Sequence, residues 1–365
     1  IYKDFDVICA IKKTDNPEEI KKNYTVELKS KRIISITEKP KEIKTNLLGC
    51  GTYVFNSNFF EYVRDIARKN IGKRFILMKF IDKIAKEGKK VYAFELQGDY
   101  INVNTVEDLN TANYIIRSKN FKKYKTVLII PALNEEESIG NVINDFKRCK
   151  EIDKIVVVDT NSTDRTVEIA KSLGAEVITK ETISGKKRVL PGYGEKLKYA
   201  MDNADEDIII LTEADGTFRS KDIPKILEYM KDADMVIGTR TTRQMIEQGS
   251  NMGWFLRWGN VFLSKLIEVL WWNQEPRFTD VGCTFRGIWR DSYQKIKDNL
   301  HSTGPEFSPE MMIEALRARL RVIEIPVSYY KRFTGESKHS VGFKKIKTGL
   351  KMLNLILGKK FGWKK

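Results

Sequence analysis

The chain has 365 residues, of which 41% are hydrophobic and 31% charged; that composition excludes a disordered segment and leaves room for two domains, each with its own core. Its four cysteines (Cys9, Cys50, Cys149, Cys283) are widely spaced without a CxxC pair, and there are only two histidines, which argues against a disulfide framework, a structural zinc site or a His-rich metal centre. No apolar run approaches the ~18–20 residues that span a bilayer, and a formal charge of +16 reads either as a solvated basic end or as contact with a polyanion, nucleic acid or an acidic membrane surface.

Ile1 opens in mid-pattern, so the chain is read as a fragment with its true start upstream. The first 116 residues contain IISITEKP, LLGCGTYVFNSNFFEYV and GDYINVNTVEDLNTAN. These stretches resemble the C-terminal part of a sugar-1-phosphate nucleotidyltransferase. The resemblance implies a partial α/β domain in which Glu38, Lys39, Pro40 and the region of Gly51 approach a sugar phosphate. The Gly-rich nucleotide loop is absent, and Asn102 stands where a metal-binding Asp is expected. As it stands the domain should not make nucleotide sugar; in a longer protein it either supplies donor to the domain beside it or serves for docking.

Residues 117–125, RSKNFKKYK, are polar and basic and read as a linker. Beyond them, strands that are apolar throughout alternate with amphipathic segments. TVLIIPA precedes a helical pattern at Ile139, Val142, Ile143 and Phe146, and KIVVVD precedes STDRTVEIAKSLG, whose Gly174 marks a helix end. AEVIT, DIIILTEAD and DMVIGTR continue the series. This pattern predicts a mostly parallel sheet with helices on both faces, over residues 126–340, and ligands in such sheets bind beyond the carboxyl ends of the strands. Those ends carry Pro131, Ala132 and Glu135, then Asp159, then Glu213 and Asp215. Single acids in such places often cap helices, the role expected for Ser162 and Asp164.

Glu213 and Asp215 are spaced i and i+2, so they face one point, and their mutual repulsion calls for a positive charge between them. Oxygen ligands of this kind suit Mg²⁺ or Mn²⁺ with phosphate oxygens and water completing the shell. The stretches IIPALNEEESI, VVVDTNSTDRT, LTEADGTF, VIGTR, FTDVGCTFRGIWR, GPEFSPEMM and RVIEIPVSYYKRFTGESKH then resemble the family-2 glycosyltransferases of GT-A fold, most closely their dolichol-phosphate mannose synthase branch. That resemblance implies that Pro131, Ala132, Glu135 and Asp159 hold the nucleoside, that Glu213 and Asp215 bind the metal, and that Arg240, Arg332 and Lys338 lie against the phosphates of a UDP- or GDP-hexose. Two departures stand out. The metal motif begins with Glu rather than Asp, and the second nucleoside loop reads Asp159-Thr160-Asn161-Ser162, one acid short. The QxxRW motif of processive synthases is missing, with Arg257-Trp258 a faint echo.

Loss of a nucleoside diphosphate builds negative charge that a cation and nearby Arg or Lys stabilise. A hydroxyl acceptor would need a base, with Asp280, Glu306 and Glu310 as candidates; a lipid phosphate would need only positioning by an arginine. Arg240, Arg257 and Arg286 are the candidate clamps, Arg286 being equally readable as a structural ion pair, and Glu310 as a complement to a helix dipole. VLPGYGEKL, residues 189–197, reads as a flexible loop beside the phosphates. Residues 254–272, aromatic-rich, suit either the membrane interface or a core helix. Residues 331–365 carry eleven Lys or Arg against one acid, Glu336. Within them Phe343, Ile346, Leu350, Leu353 and Leu357 share one face and Lys344, Lys347 and Lys351 another, the pattern of a basic helix on anionic lipid. With no nucleic-acid motif alongside the charge, the expectation is an inverting enzyme, cytoplasmic and peripheral at the inner face of the membrane, with polyprenyl phosphate as acceptor. A soluble hydroxyl or glycan acceptor, and a catalytically dead membrane-binding module, are the alternatives.

Overall fold

The computed structural model describes residues 4–69, 75–159, 161–179, 192–250, 252–333 and 342–362. The chain divides into two compact units between Ala112 and Asn113. In the first, strands β1 (Val7–Lys13), β2 (Tyr24–Lys29), β3 (Arg32–Glu38), β4 (Leu47–Phe55) and β5 (Val91–Glu95) close into a barrel of order β1-β4-β2-β3-β5. Helices α1 (Pro17–Lys22), α2 (Ser57–Lys69) and α3 (Leu77–Lys86) connect them. Only β1 and β5 run parallel. Val7, Cys9, Val26, Ile33 and Val91 from the strands meet Phe80, Ile81 and Ile84 of α3 in one core. Asn102 donates through Nδ2 to Asn23 Oδ1 at 2.6 Å.

Helix α4 (Val106–Asn120) and a 3₁₀ turn at Phe121–Lys123 lead to the second unit. The stretch 117–123, expected as linker, is therefore helical, and Arg117 is tied down: it pairs with Asp234 at 2.7 Å and stacks over the Trp289 ring.

The second unit is built on seven strands in the order β12-β10-β11-β9-β6-β7-β8. In chain order the elements are β6 (Thr126–Ala132), α5 (Ile139–Phe146), β7 (Lys154–Asp159), α6 (Thr166–Ser172), β8 (Glu176–Ile178), α7 (Tyr193–Asp202), β9 (Ile208–Leu211), α8 (Ile223–Met230), β10 (Met235–Thr239), α9 (Trp254–Leu270), β11 (Arg286–Trp289), α10 (Arg290–Ile296), α11 (Phe307–Arg317), β12 (Val322–Pro326) and α12 (Gly342–Phe361). All pairings are parallel except those of β11, which runs against both β9 and β10. The wholly apolar strands follow from burial on both faces, since successive side chains point opposite ways. Val127, Ile129, Ile209 and Leu211 enter one core with α7, α9, α11 and α12, while Leu128, Ile130, Ile208 and Ile210 enter the other with α5, α6 and α8. The helical pattern at Ile139, Val142, Ile143 and Phe146 is the buried face of α5. Gly174, at φ +73°, turns the chain out of α6 in a conformation that a Cβ would strain.

Two expectations change here. Residues 193–197 of the expected phosphate-side loop are the start of helix α7, and 189–191 lie outside the described residues. The basic tail is anchored in the core at its far end: Met352 and Ile356 are buried, and Lys359 Nζ reaches Glu310 (2.8 Å), Glu314 (2.9 Å) and the Asn299 carbonyl (2.8 Å). Ile346 and Leu350 remain exposed; the side chains of Phe343 and Lys344 lie outside those described.

Candidate active site

Strand β6 has β7 on one side and β9 on the other, so the loops leaving the carboxyl ends of β6 and β9 part and open a crevice, the usual ligand position in an open α/β sheet. Pro131 sits where β6 has outrun β9, whose pairing stops at Leu211 opposite Ile129; its missing N–H breaks no ladder there. A cavity of about 620 Å³ fills the crevice. Pro131, Ala132, Glu135, Lys196, Glu213, Asp215, Arg240 and Arg332 line one end; Phe255, Leu256, Phe262, Leu263, Ile346, Leu350 and Leu353 line the other, between α9 and α12.

Glu213 and Asp215 lie in the turn just past β9 and both face this cavity. Asp215 is buried; its Oδ1 accepts from the Thr217 N–H (3.0 Å) and hydroxyl (2.6 Å), and Oδ2 has no hydrogen bond, although Arg332 Nη2 approaches within 2.7 Å. Glu213 accepts from the Thr284 hydroxyl at 2.7 Å. Burial first, and then the charge of Asp215, push its carboxyl up to about 7. Two acids held side by side in the cavity wall, one with an oxygen that accepts no hydrogen bond and meets the Arg332 guanidinium, fit a hard divalent cation. Among the described residues no three His, Cys, Asp or Glu side chains gather as a metal cage, so such an ion would take its remaining ligands from phosphate and water, the habit of Mg²⁺ and Mn²⁺.

Arg240 is held in the cavity wall by a bidentate pair with Asp280, Nε to Oδ2 at 2.8 Å and Nη2 to Oδ1 at 2.9 Å. Burial works against its charge, but Asp280 prevails and holds its pKa well above the ordinary arginine value. Asp280 is placed in turn by Glu324 of β12, whose carboxylate accepts from the backbone N–H groups of Thr279 and Asp280. Asp280 is thus a counter-ion, not a base. Glu310 is likewise consumed: besides Lys359 it accepts from the His301 and Ser302 N–H groups, so it clamps a loop rather than merely complementing a dipole.

Other expected residues fall less centrally. Arg286 is turned into the core, where it donates to the carbonyls of Cys283 (2.6 Å), Ser308 (2.6 Å) and Val281 (3.1 Å), and burial lowers its pKa. Neither a phosphate clamp nor an ion pair, it braces the backbone around Thr284. Arg257, on α9, is not among the cavity's lining residues. Asp159 is buried just beyond the lining, with Oδ1 accepting from the Ser162 N–H at 3.0 Å and Oδ2 lacking a partner. Glu306 stands at the N-terminus of α11 with a buried, unpartnered Oε2; its neighbours Pro305 and Ser308 line the cavity but it does not. Lys338 lies outside the described residues. Ser162 and Asp164 knit the loops together: Ser162 Oγ accepts from the Asn134 N–H, and Asp164 accepts from the Thr166 N–H at the start of α6.

Among the lining residues that the sequence does not single out are Lys196, Thr284 and Tyr329. Lys196 was hidden in a segment taken for loop; its position three residues into an amphipathic helix was the available signal. Thr284 and Tyr329 lie within stretches that carry the family resemblance but are not marked individually: each reaches the site because β11 and β12 flank β10.

The family model for glycosyl transferase family 2 matches residues 127–296, and that for nucleotidyl transferases matches residues 2–119. A low-salt glycan biosynthesis hexosyltransferase of Haloferax volcanii is 34% identical over 210 residues, covering 56% of this chain and 48% of that protein; the chain thus spans about half the length of that relative. A dolichyl-phosphate hexose transferase of the same organism is 29% identical over 212 residues, covering 58% of this chain and 85% of that one. Among solved structures, glucosyl-3-phosphoglycerate synthase from Mycobacterium tuberculosis, crystallised with Mn²⁺, UDP and glucosyl-3-phosphoglycerate, superposes with a TM-score of 0.52 at 17% identity, covering 73% of this chain and 87% of that one. The fold is the GT-A type, and with this site it defines a glycosyltransferase. The chain belongs to glycosyl transferase family 2, with a nucleotidyl transferase-like domain ahead of it.

Proposed function

We propose that this enzyme moves a hexose from a UDP- or GDP-hexose to a polyprenyl phosphate at an anionic membrane surface on the cytoplasmic side, with inversion and with Mg²⁺ or Mn²⁺ bound. The observation that carries the reading is the two-ended cavity, charged at the carboxyl ends of the strands and apolar between α9 and α12. Pro131, Ala132, Glu135 and Asp159 would take the nucleoside, and Glu213 and Asp215 the cation, which supplies positive charge to the diphosphate oxygens as the sugar bond breaks. Arg240, locked by Asp280, presents a fixed guanidinium to the same developing charge without reorganising during the reaction.

An acceptor that arrives as a phosphate anion needs no base, and that matches a site in which Asp280 and Glu310 are already spent in ion pairs. Along α9 Trp254 (71%) and Phe262 (63%), which also lines the cavity's apolar end, are exposed, as is Trp272 (75%) just past the helix end. Aromatic side chains of this kind favour the bilayer interface, and Ile346 and Leu350 of α12 are likewise exposed. Among the described residues no helix is long and apolar enough to cross a membrane, so the attachment proposed is at the surface. The relative named for dolichyl-phosphate hexose transfer supports the same acceptor class.

One observation favours a hydroxyl acceptor instead: the unpartnered Glu306 Oε2 beside Pro305 and Ser308, a carboxylate placed to take a proton after a small shift. The two readings separate in one assay. Protein, radiolabelled UDP- and GDP-hexoses, Mn²⁺ and polyprenyl phosphate are incubated and partitioned between organic solvent and water. Label entering the organic phase only when the lipid is present supports the first reading; label confined to water refutes it.

A further inference from the structure

The charge of Asp215 is answered from within the chain by Arg332, whose Nη2 stands 2.7 Å from Oδ2. The approach is close but not aligned, for Oδ2 accepts no hydrogen bond, whereas Oδ1 accepts two from Thr217. Backbone, not the ion pair, delivers Arg332 to this place. Tyr330 N–H donates to the Thr217 carbonyl (2.9 Å) and Phe333 N–H to the Asp215 carbonyl (3.2 Å). The Phe333 ring covers Gly216, which is at φ +76° and where a Cβ would come within 2.2 Å of the ring. The Arg219 guanidinium stacks on that ring at 4.2 Å and on Tyr330 at 5.0 Å. Residues 330–333 are thus strapped across the Asp215-Gly216-Thr217 turn whatever the guanidinium does.

Resting on the metal reading above, we infer that Arg332 and the divalent cation are alternative partners of Asp215 Oδ2, and that the cation's arrival releases the guanidinium toward the diphosphate. Oδ1 is committed to Thr217, so one oxygen is left for both. A guanidinium and a divalent ion on the same buried oxygen repel each other, and the low dielectric of the wall leaves that repulsion poorly screened. The released side chain stays in the cavity wall, where its planar donors suit phosphate oxygens. One arginine would therefore serve the carboxylate first and the donor second, which discourages the cation from binding without its nucleotide.

The test measures Mn²⁺ binding directly, by the loss of free-Mn²⁺ paramagnetic resonance signal on titration into protein at fixed pH without nucleotide. UDP binding at saturating Mn²⁺ follows by calorimetry. Arg332→Met should bind Mn²⁺ at least about fivefold tighter than the unsubstituted chain, within the range usual for coupled sites, and bind UDP more weakly once Mn²⁺ is present. Arg332→Lys, which keeps a charge on the same strap, should stay near the unsubstituted Mn²⁺ affinity. If the unsubstituted chain binds Mn²⁺ and Arg332→Met binds it no tighter, the exchange is refuted while the metal site stands. If neither protein binds Mn²⁺ even with UDP present, both fall.

Discussion

Replacing Lys359 by Met tests whether the tail helix is part of the enzyme's core. Lys359 is the residue through which α12 is pinned: its three ammonium protons are matched by Glu310 Oε1, Glu314 Oε1 and the Asn299 carbonyl, and both acids are almost fully buried. Methionine keeps the stem's bulk but leaves two buried carboxylates short of a partner. Stranding one buried charge typically costs about 3–5 kcal/mol. Here Glu310 retains two backbone N–H donors and Glu314 retains Arg317 at 3.1 Å, so the lower end, about 3 kcal/mol, is expected. Helix α12 relieves that cost by undocking, so the loss should appear as a local opening. At about 1.4 kcal/mol per decade, amide protection over residues 348–360 should fall roughly a hundredfold in hydrogen exchange, while strands β6 and β7 keep theirs. The double variant with Glu310→Gln should recover part of the loss, because one stranded charge is gone. Unchanged protection of α12 in Lys359→Met would refute the claim that this lysine anchors the helix.

Further outcomes follow from the same geometry. Asp215→Asn should cut Mn²⁺-dependent release of UDP or GDP from the sugar nucleotide by about a hundredfold or more, read by a coupled nucleotide assay, with the melting temperature little changed. Glu213, its carboxyl raised to about 7 from the ordinary 4.5, holds its proton more tightly folded than unfolded. The native state is therefore over-protonated between those values, and stability falls as pH rises through that window. Thermal melts with chelator at pH 5 and pH 8 should show this fall, and Glu213→Gln should remove it. Asp280→Asn leaves Arg240 buried without its counter-ion and should cost about 3–5 kcal/mol in denaturant unfolding of the second unit, with nucleotide affinity falling alongside. Changing Trp254, Trp258 and Trp272 together to Ser should reduce sedimentation with anionic vesicles at least about tenfold while Mn²⁺-dependent UDP binding stays as it was.

What the sequence determined alone was local and periodic. Apolar strands alternating with amphipathic helices require a two-sided parallel sheet, because only such a sheet buries both faces of every strand. Two acids spaced i and i+2 share a direction only while the chain stays extended; here both lie in the turn past β9, and it is the turn that brings them to one cavity. Tertiary structure decided which charges are available. Asp280 and Arg240 are forty residues apart and look alike in sequence as a base and a clamp, yet the antiparallel entry of β11 between β9 and β10 closes them into a bidentate pair and turns Arg286 away from the cavity. The tail reads as a free basic helix because its lysines are visible and its partners are not: Glu310 and Glu314 lie on another helix, 49 and 45 residues back from Lys359. The role of an ionisable side chain depends on what faces it through space and how much water remains there, and neither is written in the order of the residues.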